Sequence, residues 1–515
     1  MGKQVNPHMT RQSSKTVKTP LRIMKFGGTS VGDASAIQKV LEIIRAASRA
    51  SEIVVVVSAM SGVTNNLVDA ATQSEAGNCE LVEMIFGELR SRHHGVASAL
   101  IHSIPVRSRI NREIEQIFQE GERLCQGTAL LRELTLRARD SISSLGERLS
   151  APLVAAALTE CGVASEAIEA TELIETDSCH GSADPRMDPT RKKCEFRLRP
   201  LLRKGVVPVV TGFIGATAEG VLTTLGRGGS DYSATILGAA LDADEVTIWT
   251  DVDGLMTADP RLVPGASTIP EISYREAAEL AHFGAKVLHP KTLSAVTQCG
   301  IPLWIRNTFA PDRPGTRITP SGPLTDGGVK GLTAISDVAL ITVGGAGIVG
   351  VPDVLGRTFA TTAAVPANVL LISQSSSQND ICLVVASAVA ERTLQALRRE
   401  FALDLAHEKV EHITLDPTVA IVTVVGKNMR GSAIVGRTFT ALGRENLNII
   451  AIAQGSSECN ISFVVSKQDV RVALDTTHQE FRLGVLESRA LPVQSVGGDP
   501  AAWRYDPQQR TASAD

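Results

Sequence analysis

A lysine followed closely by two glycines, a threonine and a serine, as in Lys25-Phe-Gly-Gly-Thr-Ser30, suits an anionic oxygen. Glycines let backbone N–H groups approach phosphate, and a helix starting just beyond adds positive potential. Lys25 would then set a point charge on a phosphoryl group in transfer. The same pattern can also do no more than join a strand to a helix. A second bend, Leu225-Gly-Arg-Gly-Gly-Ser-Asp231, offers Arg227, Gly228, Gly229 and Ser230 as donors and pliant backbone for a carboxylate or phosphate. Asp231 is out of place in a simple anion trap and makes sense as an organiser that holds a lysine. The plainer role for Ser230 or Asp231 is to cap the next helix. Thr250-Asp-Val-Asp-Gly254 leaves a strand end, where open α/β sheets bind ligands, with Asp259-Pro-Arg261 at loop distance. Phe283-Gly-Ala-Lys-Val-Leu-His-Pro290 supplies a further lysine, Lys286, which without the other motifs reads as a solvated surface charge.

These residues need elements to hold them. Leu21–Phe26 reads as a strand and runs into the first glycine pair; a helix is expected from about Asp33 to Ala50. The β-branched run Ile53–Ser58 reads as a buried parallel strand, followed by a turn over Ala59–Thr64. Residues 66–150 are rich in Glu, Arg, Leu and Ala at helical spacing, which predicts a helical insertion returning to the core at Gly146–Ser150. Strands are then expected at Val206–Val210, Glu245–Thr250 and Ile301–Asn307, with helices at Ser233–Leu241 and Tyr274–Leu280. This alternation indicates an α/β layered fold. Pro311–Gly328 has the composition of a linker.

An internal repeat follows. Ala339–Val343 matches Ala420–Val424, Gly356–Phe359 recurs as Gly436–Phe439, Asn368–Ser375 parallels Asn448–Ser456, and Ile381–Val385 parallels Ile461–Val465. Each copy reads as a ferredoxin-like βαββαβ unit, and the pair suggests a ligand-sensing module. Gly345-Ala-Gly-Ile-Val-Gly350 matches a dinucleotide-binding pattern, but the next strand ends Ile372-Ser-Gln374 rather than in an acid. Nicotinamide binding is therefore not expected.

Composition narrows the remaining classes. The 515 residues allow about three domains of roughly 150 residues. With 43% hydrophobic and 21% charged residues the chain resembles a soluble globular protein, and its net charge of −4 gives no basic field for nucleic acid. No apolar run reaches the roughly 20 residues that span a bilayer. Eight scattered cysteines without a C-x-x-C pair argue against a disulfide framework or a zinc site, and fit a reducing cytoplasm. The first twenty residues lack an apolar segment and read as a disordered extension, and residues 496–515 as a loose tail. There is no G-x-x-x-x-G-K-[ST] and no H-R-D or D-F-G set, which excludes P-loop and protein-kinase chemistry.

KFGGTSVG (Lys25–Gly32), SAMSGVTN (Ser58–Asn65), GERLSA (Gly146–Ala151), TGFIGAT (Thr211–Thr217), TTLGRGGSDYSA (Thr223–Ala234), WTDVDG (Trp249–Gly254), DPR (Asp259–Arg261) and FGAKVLHP (Phe283–Pro290) together, in this order, resemble the aspartate kinases. The repeat resembles their tandem ACT domains. The resemblance implies a three-layer α/β/α amino-acid-kinase sandwich with a mostly parallel sheet, then two ferredoxin-like ACT domains. It divides the chain into a catalytic domain at 21–325, ACT domains at 326–412 and 413–495 (the second with a return strand), and the two tails. It also implies roles by position. Lys25 matches the lysine that stabilises the transferring phosphoryl group, and Ser230 and Asp231 an active-site pair. Thr64, Glu147 and Arg227 match aspartate-binding positions. Gly27, Gly28 and Ser30 belong to the phosphate-binding turn; Thr250, Asp251, Arg261 and Lys286 match nucleotide-binding positions. Met256 departs from the family, which usually has a tyrosine there.

Elementary chemistry agrees with that assignment. Glu147 can pair the α-ammonium of aspartate and Arg227 its α-carboxylate, leaving the β-carboxylate to attack ATP. A carboxyl group of pKa about 4 is already ionised at pH 7, so no general base is needed. The difficulty is bringing anion to anion, which Lys25, Mg2+ carried with ATP and the turn amides would relieve; no metal site built from the protein alone is expected. The regulatory half is similar to that of bifunctional aspartate kinase–homoserine dehydrogenases, through QSSS (Gln374–Ser377) and NIIAIAQGSSE (Asn448–Glu458). That similarity implies that Gln374 and Gln454 bind an amino-acid effector, threonine ahead of lysine, unless both merely cap a turn. The end near residue 515 leads to the expectation of a monofunctional kinase, oligomeric through its ACT domains.

Overall fold

The computed structural model describes residues 19–283, 288–323, 328–346, 352–374, 379–429, 432–454 and 458–484. The disordered extension and the C-terminal tail expected from the sequence fall outside these residues, apart from Thr19 and Pro20. So do Lys286, Ser375–Ser377 and residues 455–457.

The chain opens with β1 (Leu21–Phe26), α1 (Ala34–Ala47) and β2 (Glu52–Val57). Helix α1 starts where the sequence offers a cap: the Asp33 carboxylate accepts from the Ala36 N–H at 2.9 Å. Five helices follow: α2 (Val63–Ala76), α3 (Cys79–Leu100), α4 (Ile104–Leu131), α5 (Leu136–Ser143) and α6 (Leu145–Glu160). The insertion returns to the core within α6, which runs through Gly146–Ser150. Next come β3 (Ser165–Ile168), α7 (Met187–Arg197), α8 (Arg199–Arg203), β4 (Val207–Thr211), the hairpin β5 (Ile214–Ala216) and β6 (Leu222–Thr224), and α9 (Gly229–Leu241). The domain finishes with β7 (Glu245–Thr250), β8 (Glu271–Ser273), α10 (Tyr274–His282), α11 (Pro290–Cys299), β9 (Leu303–Asn307) and β10 (Thr316–Thr319).

Eight of these strands form one sheet in the order β3-β4-β2-β1-β7-β9-β10-β8. Every neighbouring pair is parallel except β9 with β10. Alternation along the central strands sorts side chains to two faces. Met24, Phe26, Val55 and Val57 join the apolar cluster under α1, α2 and α6, whereas Ile23, Val54, Val56 and Ile248 join the cluster under α9 and α11. That gives the three-layer sandwich. The stretch read as a linker corrects itself in space: Thr316–Thr319 adds a strand, because its Ile318 is fully buried against β9 and β8.

The C-terminal half contains β11 (Gly328–Ile335), β12 (Val338–Gly344), α12 (Pro352–Ala364), β13 (Val369–Gln374), β14 (Asp380–Ala386), α13 (Ser387–Glu400), α14 (Ala402–Ala406) and β15 (His412–Asp416). Then come β16 (Val419–Lys427), α15 (Ser432–Arg444), β17 (Ala451–Ala453), β18 (Asn460–Ser466) and α16 (Val470–Glu480). They make two four-stranded antiparallel sheets, β13-β14-β12-β15 and β11-β16-β18-β17. A cut at 412/413 does not follow this hydrogen bonding. Strand β11 crosses to pair with β16, Leu332 opposite Val424, and takes the edge that a return strand would fill. Leu340, Leu371 and Val384 from one sheet and Ile421, Ala451 and Val464 from the other share an apolar cluster, so the two units are packed together.

Candidate active site

The strand ends on one side of the sheet and the first turns of α2, α6 and α9 enclose a cleft of about 550 Å³. Lys25, Gly27, Gly28, Thr64, Glu147, Arg227, Ser230, Asp231, Thr250 and Asp251 all line it. These residues come from five separate stretches of sequence, and the fold brings them together. Ser58, Met60, Ser61, Asn65 and Phe213 line it as well; they lie in motifs noted above but were not singled out there.

The phosphate-side bend is tied down on every side. Gly27 N–H donates to the Trp249 carbonyl at 3.0 Å, and Ser61 N–H to the Gly28 carbonyl at 3.0 Å. Lys25 is only 8% exposed, and its Nζ is 2.5 Å from Asp231 Oδ1, so the role of Asp231 as a lysine holder has a direct geometric basis. Neither Ser230 nor Asp231 caps α9: the N-cap is Gly228, with no side-chain cap bond. Ser30 does not line the cleft. It is fully buried, its hydroxyl shared with that of Thr308 at 2.7 Å, so it ties the bend to the residue just past β9.

Glu147 reaches the cleft because α6 packs unusually close to the turn after β2. A Cβ added at Gly146 would sit 2.6 Å from the Ala59 Cβ, a distance that glycine alone avoids. Glu147 is 3% exposed, and its Oε2 has no hydrogen-bond partner among the described residues. Burial pushes its carboxyl up to about 8, a rise that the amides of Ala59 and Glu147, the charge of Lys25 and the Ser230 hydroxyl only partly oppose. A buried acid short of donors is costly unless something arrives to pair it.

Arg227 is exposed, and its guanidinium has no hydrogen-bond or ion-pair partner among the described residues. Its bend follows the small β5–β6 hairpin and leans on the last motif: a Cβ at Gly228 would lie 2.7 Å from the His289 Cβ. Burial lowers the His289 pKa, and Lys291 and Arg227 lower it further. Lys286, from the same motif, lies outside the described residues. Arg261 is not in the cleft; it folds back on Asp259 with contacts down to 2.6 Å and its side chain is 77% exposed. Met256 is half-buried beside Thr268, also outside the cleft lining. The loop between them is joined to the C-terminal half, where Thr257 Oγ1 meets His478 Nε2 at 3.0 Å and the Thr257 carbonyl accepts from Leu332 N–H at 2.7 Å.

Gln374 and Gln454 are both exposed at the ends of β13 and β17; Gln454 Nε2 donates to the Met429 carbonyl at 3.4 Å. No group of three or more His, Cys, Asp or Glu is placed to hold a metal among the described residues. No helix among them is long and apolar enough to cross a membrane.

Comparison with known proteins bears directly on this geometry. The amino acid kinase family matches residues 20–307, and the ACT domain matches residues 341–401 and 422–481. Bifunctional aspartokinase/homoserine dehydrogenase 1, chloroplastic, of Arabidopsis thaliana is 34% identical over 472 residues, which are 90% of this chain and 51% of that protein. The chain thus spans about half the length of that relative. Aspartokinase 1, chloroplastic, of the same plant is 31% identical, covering 89% of this chain and 80% of that one. Among solved structures, E. coli aspartokinase III in complex with aspartate and ADP (R-state) superposes with a TM-score of 0.74 at 28% identity, covering 90% of this chain and 100% of the other. The same enzyme with lysine and aspartate (T-state) gives 0.72 at 29% identity, covering 90% and 99%.

Proposed function

We propose, from the premise that this chain belongs to the aspartokinases of the amino acid kinase family, that it transfers the γ-phosphoryl group of ATP to the β-carboxylate of L-aspartate, giving 4-phospho-L-aspartate. The observation that carries this reading is Glu147: a buried carboxyl group, short of hydrogen bonds, in a cleft that also holds a clamped lysine and an arginine without a partner among the described residues. An α-amino acid supplies the missing partners. Its ammonium pairs Glu147 and its α-carboxylate pairs Arg227, which leaves a side-chain carboxylate to face the Lys25 bend. An acetylated amine would leave Glu147 without a cation.

Lys25, held by Asp231, is set to stabilise charge that builds on the phosphoryl oxygens, and the amides of the Gly27–Gly28 bend cradle the same group. Thr250 and Asp251 at the end of β7 support the nucleotide, with Arg261 and Lys286 as its further proposed contacts. Mg2+ fits the donor set, because it arrives largely dressed by phosphate and water and needs one or two protein carboxylates. Asp231 is engaged with Lys25, so Asp251 is the carboxylate that would hold it, and the ion would spread the negative charge of the phosphates.

Relatives make an amino-acid effector the natural reading of the ACT pair. Gln374 and Gln454 would bind it, with threonine favoured and lysine the alternative, and the ACT units would join copies of the chain. All eight cysteines are free, which fits a reducing cytoplasm. The test is aspartate-dependent ADP release with hydroxylamine trapping of the acyl phosphate, run beside glutamate and N-acetylglutamate, and repeated with threonine or lysine added. Turnover with aspartate alone supports the reading. Turnover with N-acetylglutamate instead overturns it.

A further inference from the structure

We propose that Asp140, on α5 of the helical insertion, is a positioning residue for the Arg227 bend. The inference rests on the aspartate-kinase reading above for the meaning of Arg227, though not for the clamp itself.

Asp140 is 2% exposed, yet it belongs to no part of the cleft lining. Four donors converge on it. Its Oδ1 accepts from the Thr224 hydroxyl at 2.6 Å. Its Oδ2 accepts from the Thr224 N–H at 3.2 Å, the Gly181 N–H at 3.0 Å and His180 Nδ1 at 2.8 Å. A carboxyl group this deeply buried persists only with such compensation. The donors come from two places that matter. Thr224 ends β6 and enters the Leu225–Asp231 bend directly. Gly181 sits in the loop that walls that bend: a Cβ at Gly226, whose φ is +81°, would come within 3.1 Å of the Gly181 carbonyl and 3.3 Å of Ser182 Oγ. The Ala183 N–H donates to the Thr224 carbonyl at 2.9 Å and closes the join between loop and strand.

One carboxyl group therefore fixes both the strand that leads into the bend and the loop packed against it, while α9 fixes the way out. Among the described residues Arg227 has no side-chain partner, so its guanidinium goes where the bend directs it. A displacement of about 1 Å at a substrate-orienting group costs on the order of 10²-fold in rate. The insertion also touches the cleft through Glu147 and through Arg92, which donates to the Ser61 carbonyl at 2.7 Å, and Asp140 is its contact with the Arg227 bend. Asparagine at 140 would present an amide N–H where donors already point, so the clamp would open without a large change in volume.

The test compares the full-length chain with Asp140→Asn, and Thr224→Val with Thr224→Ser. In Asp140→Asn, kcat/KM for aspartate should fall about 30- to 100-fold through KM, with KM for ATP within about twofold. Amide exchange across residues 224–229 should rise, and the fall in kcat/KM should recur in Thr224→Val. Thr224→Ser, which keeps the hydroxyl donor, should restore wild-type values. Equal losses for both substrates, or unchanged exchange over 224–229, would overturn the proposal. If Asp140→Asn fails to fold, the two Thr224 variants decide. If the wild-type protein prefers another carboxylate acceptor, the aspartate reading fails while the exchange measurement still decides the clamp.

Discussion

The bend after β1 and the bend before α9 each bring one cation to the cleft, but they are supported differently. The first leaves the central strand of an eight-stranded sheet, and every part of it is tied: Lys25 to Asp231, Gly27 to Trp249, Ser30 to Thr308. The second follows a two-stranded hairpin off the main sheet, and its Arg227 is exposed without a hydrogen-bond or ion-pair partner among the described residues. The bend proposed for the phosphoryl group is thus organised before any ligand arrives, as electrostatic catalysis requires. The bend proposed for the acceptor leans on support from elsewhere, namely Asp140 and His289.

That contrast can be broken most directly at Lys25. Lys25→Ala should cut kcat about 10³-fold while circular dichroism and the melting curve stay close to wild type. Survival of turnover would mean that the tied bend is not the phosphoryl site. Arg227→Ala should cost less, about 10²-fold in kcat/KM for aspartate and mainly in KM. If steady-state kinetics instead show ATP binding weakened to the same degree, the two bends do not divide their tasks as described.

Glu147 sharpens the comparison through pH. Its carboxyl, pushed up to about 8, is protonated below that pH in the free protein, and an ammonium must displace the proton to pair with it. Hence kcat/KM for aspartate should rise by up to about tenfold per pH unit toward 8 and then level. Glu147→Gln should flatten this profile as well as lower it; a profile unchanged in the variant assigns the titration to another group. The smallest effect is expected at Ser30. Ser30→Ala removes a buried hydroxyl contact outside the cleft, so thermal unfolding should register a loss of about 1 kcal/mol with KM for ATP within about twofold. A large rise in that KM would return Ser30 to the nucleotide site.

Much of this arrangement was readable from the chain. The strands Leu21–Phe26 and Glu245–Thr250 end where apolar runs meet glycine or aspartate, and the oddity of an acid inside an anion trap points to Asp231 as the holder of a lysine, which in the fold is Lys25. Periodicity, caps and turn residues are local properties, so neighbouring residues suffice to state them. Helix α9 shows the limit, since it starts at Gly229, four residues before the expected Ser233, because Ser230 and Asp231 turn inward to the cleft instead of capping.

What the sequence by itself determined was the main strands and helices around the motifs, the internal repeat, the motifs themselves and the chemistry those motifs can support. Tertiary structure alone decided which of them meet. It placed Ser30 behind the cleft and Arg261 away from it, turned Thr316–Thr319 into a strand, sent β11 across to β16, and gave a buried aspartate in the insertion command of a distant bend. Each of these depends on contacts between residues far apart in the chain. Such contacts are fixed by which surfaces exclude water together and which buried polar groups find partners, and no short window of sequence contains both sides of that exchange.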